Sequence, residues 1–189
     1  MRVLITGIDG YLGWSLAQHL TARGHEVAGI DAYFRRNQVK ELKSQSAIPI
    51  ATPVDRKEAY KDKYNKDLMW IEGNLTDWDT LIKLFKDFQP ESIVHLGENP
   101  SAPYSMIDRE HSVWIHNNNV IGSLNILYAM KDVVPDAHLV KLGTMGEYGQ
   151  PNIDIPEGFF EVEYRGRKDY LPFPKQAGSW YHQTKVHDT

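Results

Sequence analysis

Tyr181 and Lys185 sit four residues apart in Tyr181-His182-Gln183-Thr184-Lys185. On a helix that spacing places both side chains on one face. An ammonium beside a phenol favours the phenolate and lowers its pKa from about 10. Tyr181 could then exchange a proton with a hydroxyl near neutral pH. Alone the pair is weak, since a core Tyr beside a surface Lys has the same spelling. At the other end, Gly7-Ile8-Asp9-Gly10-Tyr11-Leu12-Gly13 has the spacing G-x-x-G-x-x-G. Such glycines let the backbone approach a pyrophosphate and present a helix N-terminus to its anionic oxygens. Together the two features describe a redox enzyme acting on a hydroxyl compound rather than a simple nucleotide binder.

Two further residues extend the pattern. Asp31 can accept hydrogen bonds from a ribose 2′-hydroxyl and would repel a 2′-phosphate, which favours NAD. Arg35 and Arg36 follow it, and arginines there can welcome the phosphate of NADP or simply be solvated. Thr144 lies just past a strand, where ligands of open α/β sheets sit, and its hydroxyl can hydrogen-bond a reacting oxygen. The ordered set is much rarer than any member.

The elements that must hold these residues alternate. Val3-Leu4-Ile5 reads as a buried strand. Leu12, Leu16, Ala17 and Leu20 recur at helical spacing, and Gly24 closes that helix. Glu26–Ile30 is the second strand, completing a βαβ unit. Residues 34–66 look like an insertion. It holds a helix around Gln38–Lys43, breaks at Pro49 and Pro53, and a second helix around Arg56–Lys63; a solvated surface excursion is the favoured reading over a binding lid. Leu68–Glu72 is strand three. Thr76 or Asp77 caps the next helix, whose apolar face is Leu81, Leu84, Phe85 and Phe88. Ser92–Leu96 is strand four. A long helix spans 109–131, with Val113, Val120, Ile121, Leu124, Leu127 and Tyr128 as its apolar positions. Leu139–Leu142 is strand five. A loop-rich stretch holds a hairpin through Phe159–Tyr164 and Asp169–Leu171, and a last helix starts near Ser179. The alternation predicts an α/β fold, a doubly wound parallel sheet of Rossmann type with helices on both faces.

Composition sets the outer limits. The 189 residues suffice for one domain with a full core. A net charge of −4 argues against nucleic acid. The absence of cysteine excludes thiolate chemistry and Cys-based metal sites, and no metal is expected. No apolar run reaches the ~20 residues that span a membrane. The strand residues begin just after Met1-Arg2, so no signal or transit peptide is expected. The expected setting is the cytoplasm.

With Asn117-Asn118-Asn119 and Gly146-Glu147-Tyr148-Gly149, the set resembles the extended short-chain dehydrogenase/reductase superfamily of nucleotide-sugar epimerases and dehydratases. Within it, Ser101 to Asp108, Lys141 to Gly149 running on through Pro151 to Ile155, and Tyr181 to Asp188 are similar to the UDP-sulfoquinovose synthase branch. The resemblance covers essentially the whole chain and is weakest in the insertion. It implies NAD as cofactor, UDP-glucose and sulfite as substrates, and a homodimer or higher homo-oligomer. It also implies that the sugar-binding part lies largely beyond this sequence.

The implied reaction oxidises C4 of the sugar, eliminates the C6 hydroxyl, adds sulfite and reduces C4 again. Tyr181 would be the base, Lys185 its tuner and Thr144 the holder of the oxygen. Dehydratases of the superfamily follow the Thr with Asp-Glu. Met145 and Gly146 stand there instead, leaving Glu147 and His182 as proton shuttles. The cofactor would lie against Gly7, Asp9, Gly10, Tyr11, Leu12, Gly13, Asp31, Arg35, Arg36, Asn74, Leu75, Leu96, Gly97 and Asn118, with Tyr181 and Lys185. Ser101, Tyr104, Thr144 and Met145 would touch the sugar nucleotide. Another NAD-linked epimerase or dehydratase stays open as an alternative, as does a non-catalytic NAD(P)-binding regulatory or scaffold protein.

Overall fold

The computed structural model describes residues 1–156 and 158–188. The chain divides into two compact units, Met1–Asn99 with Asn117–Leu142, and Pro100–His116 with Gly143–Thr189.

The first unit is a five-stranded parallel sheet. Its strands are β1 (Arg2–Thr6), β2 (Glu26–Asp31), β3 (Met69–Glu72), β4 (Ser92–His95) and β5 (His138–Lys141), in the order β3-β2-β1-β4-β5. The order reverses between β1 and β4, the place where such sheets open a crevice at their carboxyl ends. Alternation along β1 feeds both faces. Leu4 points to a core with Ile30, Leu81, Phe85, Ile93 and Ile126. Val3 and Ile5 point to another with Ala17, Val27, Tyr60 and Trp70. Helices α1 (Tyr11–Ala22) and α3 (Pro53–Tyr64) cover one face; α4 (Trp78–Phe88) and α7 (Gly122–Val133) cover the other. This is the doubly wound, Rossmann-type sheet anticipated from the sequence. Of the two candidate caps for α4, Asp77 is the one used, its carboxylate accepting the Thr80 N–H.

The insertion departs from its sequence reading. Helix α2 runs Phe34–Glu41, earlier than Gln38–Lys43, because Tyr33 takes a left-handed conformation and turns the chain straight after β2. Pro53 does not break a helix. It occupies the first turn of α3, where a missing N–H costs nothing, behind a capping box between Thr52 and Asp55. Only the segment from 42 to 52 is a continuous exposed excursion. Helix α3 is packed: the Tyr60 hydroxyl meets Thr21 Oγ1 at 2.5 Å, the Tyr64 hydroxyl donates to the Gln18 carbonyl at 3.1 Å, and Tyr60 is 3% exposed.

The single helix expected over 109–131 is interrupted. Helix α6 (Arg109–His116) gives way to a π-helical turn at Asn117–Ile121 before α7 begins. Asparagine favours hydrogen bonds of its own over helix continuation, and Asn118 and Asn119 are buried at this turn. The extra residue rotates the following face, so Ile121, Leu124, Leu127 and Tyr128 are 40–51% exposed while Ile126 and Ala129 fill the core.

The second unit contains α5 (Ala102–Ser105), a 3₁₀ turn at Met145–Tyr148, the antiparallel hairpin β6 (Phe159–Tyr164) and β7 (Arg167–Pro172), and α8 (Trp180–Val186). Helix α8 packs on α5, α6 and the 3₁₀ turn. No helix among the described residues is long and apolar enough to cross a membrane.

Candidate active site

The glycine loop joins β1 to α1. Gly7 has φ +73°, and a Cβ there would lie 2.7 Å from the Leu96 carbonyl oxygen. A Cβ on Gly13 would overlap the Gly7 carbonyl, so close packing of helix on loop requires glycine. The cradle these residues form fits a pyrophosphate lying on the N-terminus of α1. Tyr11 and Leu12 are exposed beside it, Tyr11 at 90%.

Asp31 ends β2. Its carboxylate accepts the N–H of Asp9 and the N–H of Tyr33, each at 2.8 Å. Burial pushes its pKa above the usual carboxylate value, and those two N–H bonds only partly offset it. The carboxylate of Asp9 is 5% exposed and holds two arginines. Arg36 donates Nε and Nη2 to it at 2.5 and 2.9 Å. Arg56 donates Nη1 to the Asp9 side chain at 2.8 Å and to its carbonyl at 2.7 Å, with its guanidinium over the Trp14 ring. Arg35 is exposed. Arg56 is a member of this cluster that sequence reading missed. Its only signal is that it lies one turn into a capped helix.

The loop after β4 is held from several sides. Thr6 Oγ1 accepts the N–H groups of Leu96 and Gly97 at 3.2 and 3.1 Å, so its own proton goes to His95 Nδ1 at 2.6 Å. Asn119, fully buried, accepts the Asn99 N–H at 3.0 Å and donates to the Asn99 carbonyl at 3.1 Å. Asn118 donates to the Gly97 carbonyl and to Asn119. Sequence reading singled out Asn118; the two-point clamp belongs to its neighbour. Glu98 pairs with Lys141 at 2.6 Å. Asn74 turns its own loop by accepting the Thr76 N–H. Leu75 is buried in the core, against Gly97 and Gly122.

The second unit holds Tyr181, Lys185, Thr144, Glu147 and His182. Ser179 caps α8 by accepting the His182 N–H at 3.2 Å, and the same hydroxyl lies 3.0 Å from His182 Nδ1. Ser105, fully buried, accepts the Tyr181 N–H at 3.0 Å and fixes where the helix begins. Neither serine was assigned a role from sequence, and no spacing distinguishes them from ordinary caps. Tyr181 and Lys185 occupy successive turns of α8. Lys185 is 3% exposed and pairs with Asp188 at 2.8 Å, so it is a buried ammonium rather than a surface Lys. Thr144 caps the 3₁₀ turn through the Gly146 N–H. Glu147 is 6% exposed and lies 3.4 Å from Lys175 Nζ. The His182 ring covers Gly146 so closely that a Cβ there would overlap it. Ser101 caps α5, Tyr104 is buried with its ring edge-on to His111, and Met145 is 86% exposed.

Residues 3–185 match the model of the NAD dependent epimerase/dehydratase family. The chain is 47% identical to the chloroplastic UDP-sulfoquinovose synthase of Spinacia oleracea, across 100% of this chain and 39% of that protein. It is 44% identical to the UDP-sulfoquinovose synthase of Sulfolobus acidocaldarius, across 100% of this chain and 48% of that protein. It thus spans less than half the length of both. Among solved structures, Bordetella bronchiseptica WbmG in complex with NAD and UDP aligns with a TM-score of 0.67 at 25% identity, over 99% of this chain and 47% of that one. The UDP-Glc/GlcNAc 4-epimerase of Campylobacter jejuni aligns at 0.69 and 17% identity, over 98% and 46%. The family match runs from β1 to Lys185, taking in both the glycine loop and the Tyr–Lys helix, and the chain belongs to the NAD dependent epimerase/dehydratase family.

Proposed function

We propose that this chain carries the cofactor cradle and the proton-transfer residues of an enzyme that makes UDP-6-sulfoquinovose from UDP-glucose and sulfite. The observation that carries this reading is 47% and 44% identity over the whole chain to two proteins bearing that enzyme's name. NAD, when bound, supplies reversible two-electron redox chemistry at C4 of the sugar. Gly7, Gly10, Gly13, Asp31 and Gly97 are the residues that would hold it.

Tyr181 takes the proton of the C4 hydroxyl and later returns it. Lys185 stabilises the phenolate electrostatically, and Thr144 donates a hydrogen bond to the C4 oxygen. A 4-keto group acidifies the C5 proton, so C5 can lose it while the C6 hydroxyl departs as water. Sulfite then forms a C–S bond at C6 and C5 regains a proton. His182 and Glu147 are the groups assigned to these C5 and C6 transfers. The net change consumes no external reductant. Support for this over an ordinary 4,6-dehydratase comes from Gly146, whose lack of a side chain leaves room for His182.

The deciding experiment incubates the enzyme with UDP-glucose, NAD and sulfite and reads the product by mass spectrometry. UDP-6-sulfoquinovose is expected. UDP-galactose or a stable 4-keto sugar as sole product would instead establish an epimerase or dehydratase, and no turnover with retained NAD binding would favour a scaffold role.

We further propose a homodimer in the cytoplasm. The exposed apolar positions Leu124, Leu127 and Tyr128 on α7 support the first. The lack of cysteine suits a reducing compartment.

A further inference from the structure

A guanidinium near the ribose-binding carboxylate is the usual means of welcoming a 2′-phosphate. This cradle has two such groups, Arg36 and Arg56, yet both are turned onto one carboxylate. Asp9 receives Arg36 through two nitrogens and Arg56 through a third. Its side chain is 5% exposed, against 25% and 14% for the arginines. The Ala51 carbonyl and the Asp9 carbonyl take further donors from Arg36 and Arg56. The cluster is wired to the ribose end of the site, because the Asp9 N–H is one of the two that Asp31 accepts. Arg36 and Asp31 also interact electrostatically.

We propose that Asp9 is a specificity-determining residue, one that excludes NADP by sequestering Arg36 and Arg56 beside Asp31. The physics is charge balance. A buried carboxylate compensates the two guanidiniums, holding Arg36 in bidentate geometry and Arg56 through one nitrogen shared with the Asp9 carbonyl. A 2′-phosphate arriving there meets the Asp31 carboxylate and two guanidiniums whose charge Asp9 already compensates. Removing the Asp9 charge leaves the cations half-buried without their counter-ion, an unfavourable state that an incoming phosphate relieves. The assignment rests on the dinucleotide site and is independent of which sugar nucleotide the enzyme uses.

The test is calorimetric titration of the protein with NAD+ and with NADP+, a binding readout that needs no turnover. In Asp9→Asn, NADP+ affinity relative to NAD+ should rise about tenfold or more, the size of one charge-assisted hydrogen bond. That gain should vanish in Asp9→Asn combined with Arg36→Ala. Arg36→Ala alone should leave the NADP+ to NAD+ ratio unchanged, because the wild-type arginine is already committed. An unchanged ratio in folded Asp9→Asn overturns the proposal, as does a gain that survives loss of Arg36. Should Asp9→Asn fail to fold, Arg36→Ala decides alone: a tenfold loss of NADP+ affinity at constant NAD+ affinity would show that Arg36 serves the phosphate in the wild type.

Discussion

The imidazole of His182 lies where a side chain on residue 146 would have to be. Ser179 fixes the ring from the other side, with its hydroxyl 3.0 Å from Nδ1. The histidine that follows Tyr181 is thereby placed over the turn that Thr144 caps.

Gly146→Ala should therefore push the ring out of place. Its kcat should fall at least about tenfold while NAD+ affinity, measured by titration, stays within twofold, on the expectation that a misplaced transfer group costs rate. A variant with wild-type kcat would remove His182 from the mechanism.

Tyr181→Phe keeps the ring and deletes the hydroxyl. General acid–base catalysis contributes about 100- to 10,000-fold, and the loss of kcat should fall in that range. The circular dichroism spectrum should be unchanged, since the helix start depends on the Tyr181 N–H and Ser105. Full turnover in this variant would sink the proton-transfer role.

Cofactor affinity should depend on pH through Asp31. Burial raises its folded pKa above 3.8. The protonated carboxyl is thus favoured by the fold, and that stability, fully present below 3.8, is lost as pH rises through the folded value. A ribose diol donates to the ionised form. The NAD+ dissociation constant should accordingly rise, by up to about tenfold per pH unit, as pH falls below the folded value. Asp31→Asn should bind more weakly and show a flat profile over the same range.

Phe85, fully buried, sits at the centre of the core under α4. Phe85→Ala should cost about 3–5 kcal/mol in urea unfolding of the sheet unit, through lost burial and the cavity left behind.

The face of α7 offers a test of assembly. Leu127→Glu should convert a dimer to a monomer in light scattering. Leu127 is 51% exposed, so its own stability effect should be within about 0.5 kcal/mol. A wild-type monomer would refute the dimer outright.

Periodicity and punctuation alone determined the parallel sheet, because strand runs, glycine turns and the Asp77 cap are local signals. They also determined the residue types of the candidate site: the three glycines, Asp31, Thr144, and Tyr181 with Lys185. What lies between distant residues was decided by tertiary structure. Pro53 reads as a breaker until the chain before it is seen to form a cap. Three asparagines inside an apolar helix give no hint that one of them grips Asn99 at both backbone groups, because hydrogen-bond partners 20 residues away leave no periodic trace. Nor could sequence tell whether Arg36 faces a phosphate or a carboxylate. Folding settled that by bringing α2, α3 and the glycine loop onto one buried aspartate, where charge compensation overrides what each arginine would do alone.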